Sequence, residues 1–173
     1  MLTNDVIDHE TRINNSGMVL IASGTVSNAY QTFTSVFSAT YANYFVTFRG
    51  ICPTSTTNLD CQLLSGATAA TTNYSNQRLT ASSTSVSASA TGTNSVDLGV
   101  ITTSISGLSA YIYGPFLASQ TAFTGQSGVT GGRLDIAGGA HSTASSFDGI
   151  KFYADVDEVT RFLTGTFKLY GLA

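Results

Sequence analysis

The stretch YANYFVTFRGIC, residues 41–52, decides the fold class. Tyr44, Val46, Phe48 and Cys52 fall on alternate positions, and Thr47 and Arg49 fall between them. A period of two places one set of side chains on a core and the other on the opposite face of a strand. The same alternation closes the chain in FLTGTFKLY, residues 162–170. There Leu163, Phe167 and Leu169 point one way, and Thr164, Thr166 and Lys168 point the other.

Working outward, strands are predicted over 18–26, 30–37, 59–64, 79–90, 96–102, 108–116, 121–124, 133–137 and 150–155. Gly-rich runs at 125–132 and 138–148 read as turns between them. About ten short strands with no helical period between them indicate an all-β domain, an antiparallel β-sandwich or jelly roll. Parallel α/β folds are excluded, because no segment is left for crossover helices. The Ser-rich piece Ala81–Ser95 reads as an edge strand or contact strip outside the core.

Residues 1–16 differ from the rest. Asp5, Asp8, Glu10 and Arg12 crowd together, and Leu2, Val6, His9 and Ile13 recur at steps of four, three and four. That spacing predicts a short N-terminal helix with one apolar stripe, serving docking or oligomerisation, or else an arm. A helix this short is marginal in water and needs a partner. The expected organisation is therefore a segment 1–16 followed by a β-domain over 17–173.

Composition narrows the function. Of 173 residues, 48 are Ser or Thr, and charged residues make up 10% against a usual ~25%. A surface so poor in charge fits an extracytoplasmic domain, or a chain whose surface is covered by identical neighbours. Net charge is −3 without a basic run, which excludes sequence-independent nucleic-acid binding. The longest apolar run, Met18–Ala22, is far short of the ~20 residues of a membrane span, so no membrane insertion is expected. The opening MLTNDVIDHE lacks the basic start and apolar core of a signal peptide.

Catalytic constellations are weak. The chain has two histidines, His9 and His141, and the latter sits in GGAHSTASS. A Ser–His141–Asp148 arrangement is conceivable, but any Ser-rich chain offers one by chance. The plain alternative is a loop histidine at a subunit contact. Glu10 and Glu158 are the only glutamates, and the aspartates are dispersed, so no glycosidase acid pair stands out. Asp155, Asp157 and Glu158 cluster without the glycine and spacing of a calcium loop. The expectation is a non-enzyme without cofactor or metal.

Cys52 and Cys61 flank a turn-rich stretch. They would face each other if the adjoining strands formed a hairpin, and a bridge there would contribute about 2–3 kcal/mol. Two buried free thiols are preferred, because a chain made without a secretion signal meets a reducing cytosol. Tyr74, Tyr111, Tyr113, Phe123 and His141 lie near loops or strand ends. They are the candidates for receptor or subunit contact, by stacking and hydrogen bonding to a sugar or by packing against a copy.

Two segments carry a resemblance. GMVLIASGTVSNAYQTFTSVFSATYANYFVTFRG, residues 17–50, contains an F-S-x-x-Y-x-N-Y pattern in Phe37, Ser38, Tyr41, Asn43 and Tyr44. TGTFKLYGLA, residues 164–173, ends the chain in a Thr- and Gly-containing strand. Together they resemble the terminal β-domains of tail-fibre and related virion proteins of marine tailed phages, cyanophages especially. The resemblance implies a virion structural protein made in the host cytoplasm. It also implies a homotrimer, with other virion proteins and host-surface glycan as partners. Tail fibres have long shafts, whereas 16 residues precede this domain. The expectation is therefore a short fibre, a knob or a capsid-surface appendage rather than a full host-binding fibre, with a capsid decoration protein of similar fold as the alternative.

Overall fold

The computed structural model describes residues 17–91, 94–154 and 161–173. The expected helix carrying Leu2, Val6, His9 and Ile13 lies outside the described residues, as does the acidic group Asp155, Asp157 and Glu158.

Thirteen strands form among the described residues, and no helix does. They are β1 (Met18–Asn28), β2 (Tyr30–Phe33), β3 (Asn43–Ile51), β4 (Thr57–Ser65), β5 (Thr68–Ala69), β6 (Tyr74–Ser82) and β7 (Ser85–Thr91). There follow β8 (Val96–Ile101), β9 (Ser106–Tyr113), β10 (Ser119–Val129), β11 (Arg133–Ser145), β12 (Gly149–Ala154) and β13 (Leu163–Leu172). Eight make one sheet in the order β1-β13-β3-β9-β10-β11-β6-β7. Five make a second, β2-β12-β4-β5 with β8 also on β4. Every ladder is antiparallel.

The two sheets pack as a sandwich through aromatic rings. Phe152 of β12 stacks on Phe167 of β13 at 4.8 Å, and Phe33 meets both rings edge-on. Phe48 lies 4.5 Å from Phe167 on its other side. Offset and edge-on ring pairs add about 0.5–1.5 kcal/mol each beyond the area they bury. The alternation read in residues 41–52 holds: Tyr44, Val46, Phe48 and Cys52 are all buried. Beneath Phe48, Gly50 and Gly165 stand opposite each other in β3 and β13. A Cβ on Gly165 would strike the Arg49 carbonyl, so the ring packs there on bare backbone.

The two segments that carry the resemblance are neighbours in space. Gly171 pairs with Tyr44, and Leu172 with Asn43. The Tyr44 hydroxyl accepts the Ser38 N–H at 2.8 Å and donates to the Ser38 carbonyl at 3.2 Å, which clasps the loop before β3. Phe37 and Tyr41 pack on the Tyr44 ring. The Tyr41 ring also lies where a Cβ of residue 171 would be, 2.5 Å away, which explains the glycine after Tyr170.

Several boundaries differ from the sequence-based expectation. The Gly-rich stretches 125–132 and 138–148 are mostly strand, because β10 and β11 pair with each other and with β9 and β6 on their far sides. Continuous pairing on both sides satisfies the backbone and outweighs the low strand propensity of glycine. The stretch 79–90 is two strands rather than one, split by a tight hairpin with Ser83 at φ 56°. As expected of the Ser-rich piece, β7 is an edge strand. The strands around Cys52 and Cys61 belong to different sheets, so no hairpin joins them, and both thiols are free and buried. Burial raises the Cys61 thiol well above its ordinary value, and the nearby charges of Asp60 and Asp97 push the same way.

Candidate functional site

The eight-stranded sheet has one face against the sandwich core and one face that no other described residue covers, the uncovered face. Register assigns the uncovered face row by row. One row runs Leu20, Tyr170, Phe45, Tyr111, Thr124, Gly138, Gln77, Ala90 across all eight strands. The neighbouring row on one side brings Met18, Leu172, Asn43 and Tyr113. Rows on the other side bring Ile136, Leu79 and Ala88, then Leu134, Ala81 and Val86.

Eight of the twelve large hydrophobic side chains exposed among the described residues lie on this face: Met18, Leu20, Leu79, Val86, Tyr111, Tyr113, Leu134 and Ile136. Arg49 and Lys168 are the charged side chains that register places on it among the described residues. Aromatic rings link its centre. Tyr170 and Tyr111 flank Phe45 at 6.3 and 4.8 Å. Tyr111 and Tyr113 lie nearly parallel, 16° apart at 6.1 Å. The Tyr113 hydroxyl is 3.3 Å from the Thr124 hydroxyl. Beyond Thr124 the side chains shrink, and Gly138, Ala140, Gln77 and Ser75 help line a shallow trough of about 1210 Å³.

At the β6–β11 end the polarity of the sheet is inverted. In RLDIA, residues 133–137, the exposed residues are Leu134 and Ile136 while Asp135 is fully buried. In β6 Leu79 is exposed together with Ser75, Gln77 and Ser82, whereas Asn76 is buried and the Arg78 side chain is only 15% exposed. The buried charges are paired beneath the sheet. Arg133 grips Asp135 with two hydrogen bonds of 2.9 Å. Thr80 donates to the same carboxylate at 2.5 Å, and the Arg78 guanidinium stands 3.6 Å away. Arg78 also binds Asp97 of β8 at 2.5 Å and donates to Asn58 at 2.6 Å. Burial alone would raise the Asp135 carboxyl. Hydrogen bonds from Arg133 and Thr80, with the charges of Arg133 and Arg78, more than reverse this and hold it below the ordinary carboxylate range.

No protein-family model matches the chain, and no curated protein matches it. Among solved structures, a fructofuranosidase variant from Schwanniomyces occidentalis in complex with fructosylnystose aligns at 6% identity with a TM-score of 0.23. It covers 92% of this chain, which spans about a third (34%) of that one. A likeness of that size carries no argument about fold or function.

The residues singled out in the sequence divide clearly. Tyr111 and Tyr113 stand exposed at the centre of the uncovered face. Tyr74, Phe123 and His141 are buried, so their side chains offer no surface to a receptor or a copy. The Tyr74 hydroxyl crosses between sheets to accept the Leu63 N–H at 2.8 Å. His141 is interior to β11 rather than in a loop, held edge-on between the Tyr74 and Phe147 rings. The Asp148 carboxylate accepts the Gly66 N–H at 2.8 Å. Of the conceivable Ser–His–Asp triad, the acid binds the Gly66 N–H and the histidine is buried between two rings. Leu20, Phe45, Tyr170, Leu79, Leu134 and Ile136 were not singled out, because alternation marks which residues share a face but not which face is covered.

Proposed function

We propose that the chain is a non-enzymatic structural subunit of a virion appendage. In this account it assembles as a homotrimer in which the uncovered faces of the eight-stranded sheets meet. The observation that carries the proposal is the inverted segment at residues 133–137. Arg133, Thr80 and Arg78 hold Asp135 inside the single chain, but nothing in a monomer compensates the exposure of Leu134 and Ile136 to water. A subunit whose outer face is covered by another copy has one, since each layer then meets a medium of its own kind. An apolar face with so few charges also suits an obligate interface, which typically buries 2,000 Å² or more in total. The resemblance of residues 17–50 and 164–173 to phage terminal β-domains adds the particle as the setting. Residues 1–16 would supply the attachment to other virion proteins. A capsid decoration protein would use the same face in the same way.

The test is a paired substitution, Leu134→Lys with Ile136→Lys. Two charges on the covered face should convert the assembly to monomer in sedimentation velocity. The monomer fold, read by circular dichroism, should persist, because both side chains are exposed in the single chain. A variant that stays trimeric would overturn the proposal.

A second reading has its own observation. The parallel rings of Tyr111 and Tyr113 beside a trough bearing Gln77, Ser75 and Thr124 make a platform on which a sugar could stack and hydrogen-bond. Binding of host-surface glycan to the monomeric double variant, lost on Tyr111→Ala, would favour it.

A further inference from the structure

We infer that the copies join edge to edge, β7 of one against β1 of the next, so that the eight-stranded sheets close into a continuous ring. The inference rests on the self-association proposed above and specifies its contact.

Three features of the sheet lead there. The first is that, among the described residues, neither edge strand has a partner on its outer side. β1 reads MVLIASGTVSN and β7 reads SVSASAT, with no charged residue and no proline in either. Natural sheets protect exposed edges with Lys, Pro, bulges or very short strands, because an open row of N–H and C=O groups recruits further strands. β1 has one irregularity, between Leu20 and Ala22. Beyond it, residues 22–28 form an uninterrupted ladder on β13, and residues 85–91 form an equally long one on β6.

The second feature is strand parity. Eight strands in an all-antiparallel order leave β1 and β7 running in opposite directions. Rotating a copy about an axis along the strands preserves its direction, so its β1 arrives antiparallel to β7. The junction then repeats the hydrogen-bond pattern of the rest of the sheet. An odd number of strands would have made it parallel.

The third feature is the match of faces. Centring the two seven-residue ladders sets Thr25 opposite Ala88, Ser23 opposite Ala90 and Ser27 opposite Val86. Register within the chain already places all six on the uncovered face. Val26, Gly24, Ser87 and Ser89 fall together on the other face. A shift of one residue would break this agreement. The opposed side chains are small or β-branched and carry no charge, so nothing repels.

Pairing of like edges, β7 with β7, would use one edge and leave β1 open in every copy. That route continues without end as a filament. Head-to-tail pairing uses both edges and closes. With the three copies proposed above, the joined sheets enclose an axis. The small sheet occupies one side of each wall, so the uncovered faces turn inward.

The experiment is cysteine cross-linking at Thr25→Cys and Ala88→Cys in the full chain, with Cys52 and Cys61 buried and out of reach. Directly opposed Cβ atoms in an antiparallel pair lie about 4.5–5.5 Å apart, close enough for a disulfide after slight adjustment. On mild oxidation the double variant should give a covalent trimer on a non-reducing gel. Each single variant alone should give none, and the two mixed should give dimer. Dimers from Ala88→Cys alone would overturn the inference in favour of like-edge pairing. A trimer by light scattering that never cross-links would overturn edge closure and leave self-association standing. A monomer would overturn both. Hydrogen exchange on the wild-type chain gives a readout without substitutions. Amides throughout residues 22–28 and 85–91 should exchange slowly, and rapid exchange of every second amide in both strands would contradict the closed ring.

Discussion

Asp135→Asn tests the buried charge network beneath the inverted face. The substitution keeps the shape of the side chain and removes its charge. In the native chain the carboxylate takes two 2.9 Å bonds from Arg133, one of 2.5 Å from Thr80 and a weaker one of 3.5 Å from Ser127. Breaking a buried pair by deleting one partner costs about 3–5 kcal/mol. The Arg133 side chain is 28% exposed and stays partly hydrated, and Arg78 keeps Asp97, so the low end applies. A loss of about 3 kcal/mol is expected at pH 7, with a fall in melting temperature of about 6–12 °C. Urea unfolding followed by circular dichroism measures it without adding salt. The pH dependence has a definite sign. The folded-state pKa of Asp135 is depressed, so its contribution is fully present above the ordinary carboxylate value of about 3.9 and is lost as pH falls through the folded value. The gap between wild type and variant should be constant from pH 7 to 5 and should close in stronger acid. Equal stability at pH 7, or a gap undiminished at the acid end, would refute the reasoning.

Other substitutions test the core and the link between sheets. Phe152→Ala removes the ring that stacks on Phe167 and should cost about 3–5 kcal/mol in urea unfolding. Tyr74→Phe leaves the Leu63 N–H without its acceptor in the interior and should cost about 1–3 kcal/mol, with faster hydrogen exchange at that amide. Cys61 should not react with a thiol reagent at mildly alkaline pH until denaturant is added, because its raised pKa and full burial keep the thiolate scarce.

The fold class was legible in residues 41–52 and 162–170 because a period of two on a buried face can be met only by a strand. Glycine misled in the middle of the chain. Gly125, Gly128, Gly138 and Gly139 look like punctuation, yet each lies in a strand flanked by partners on both sides, a tertiary fact that local sequence does not carry. Tyr111 and Tyr113 are legible as candidates because aromatic residues near a strand end are apt to be exposed, and both are. Leu134 and Ile136 were missed for the converse reason. Alternation in RLDIA points Asp135 outward by ordinary hydropathy, and only Arg133, Thr80 and Arg78 arriving from their positions in the fold make its burial tolerable. Tyr74, Phe123 and His141 sit near glycines and serines in sequence, but alternation turns their side chains to the buried face of the large sheet.

Underlying the account is one claim, that sister copies cover the uncharged outer face of the large sheet. Native mass spectrometry of the wild-type 173-residue chain at low micromolar concentration tests it most directly. The account predicts a dominant species at three times the chain mass of 18.0 kDa, and a chain that remains a monomer under those conditions would contradict it.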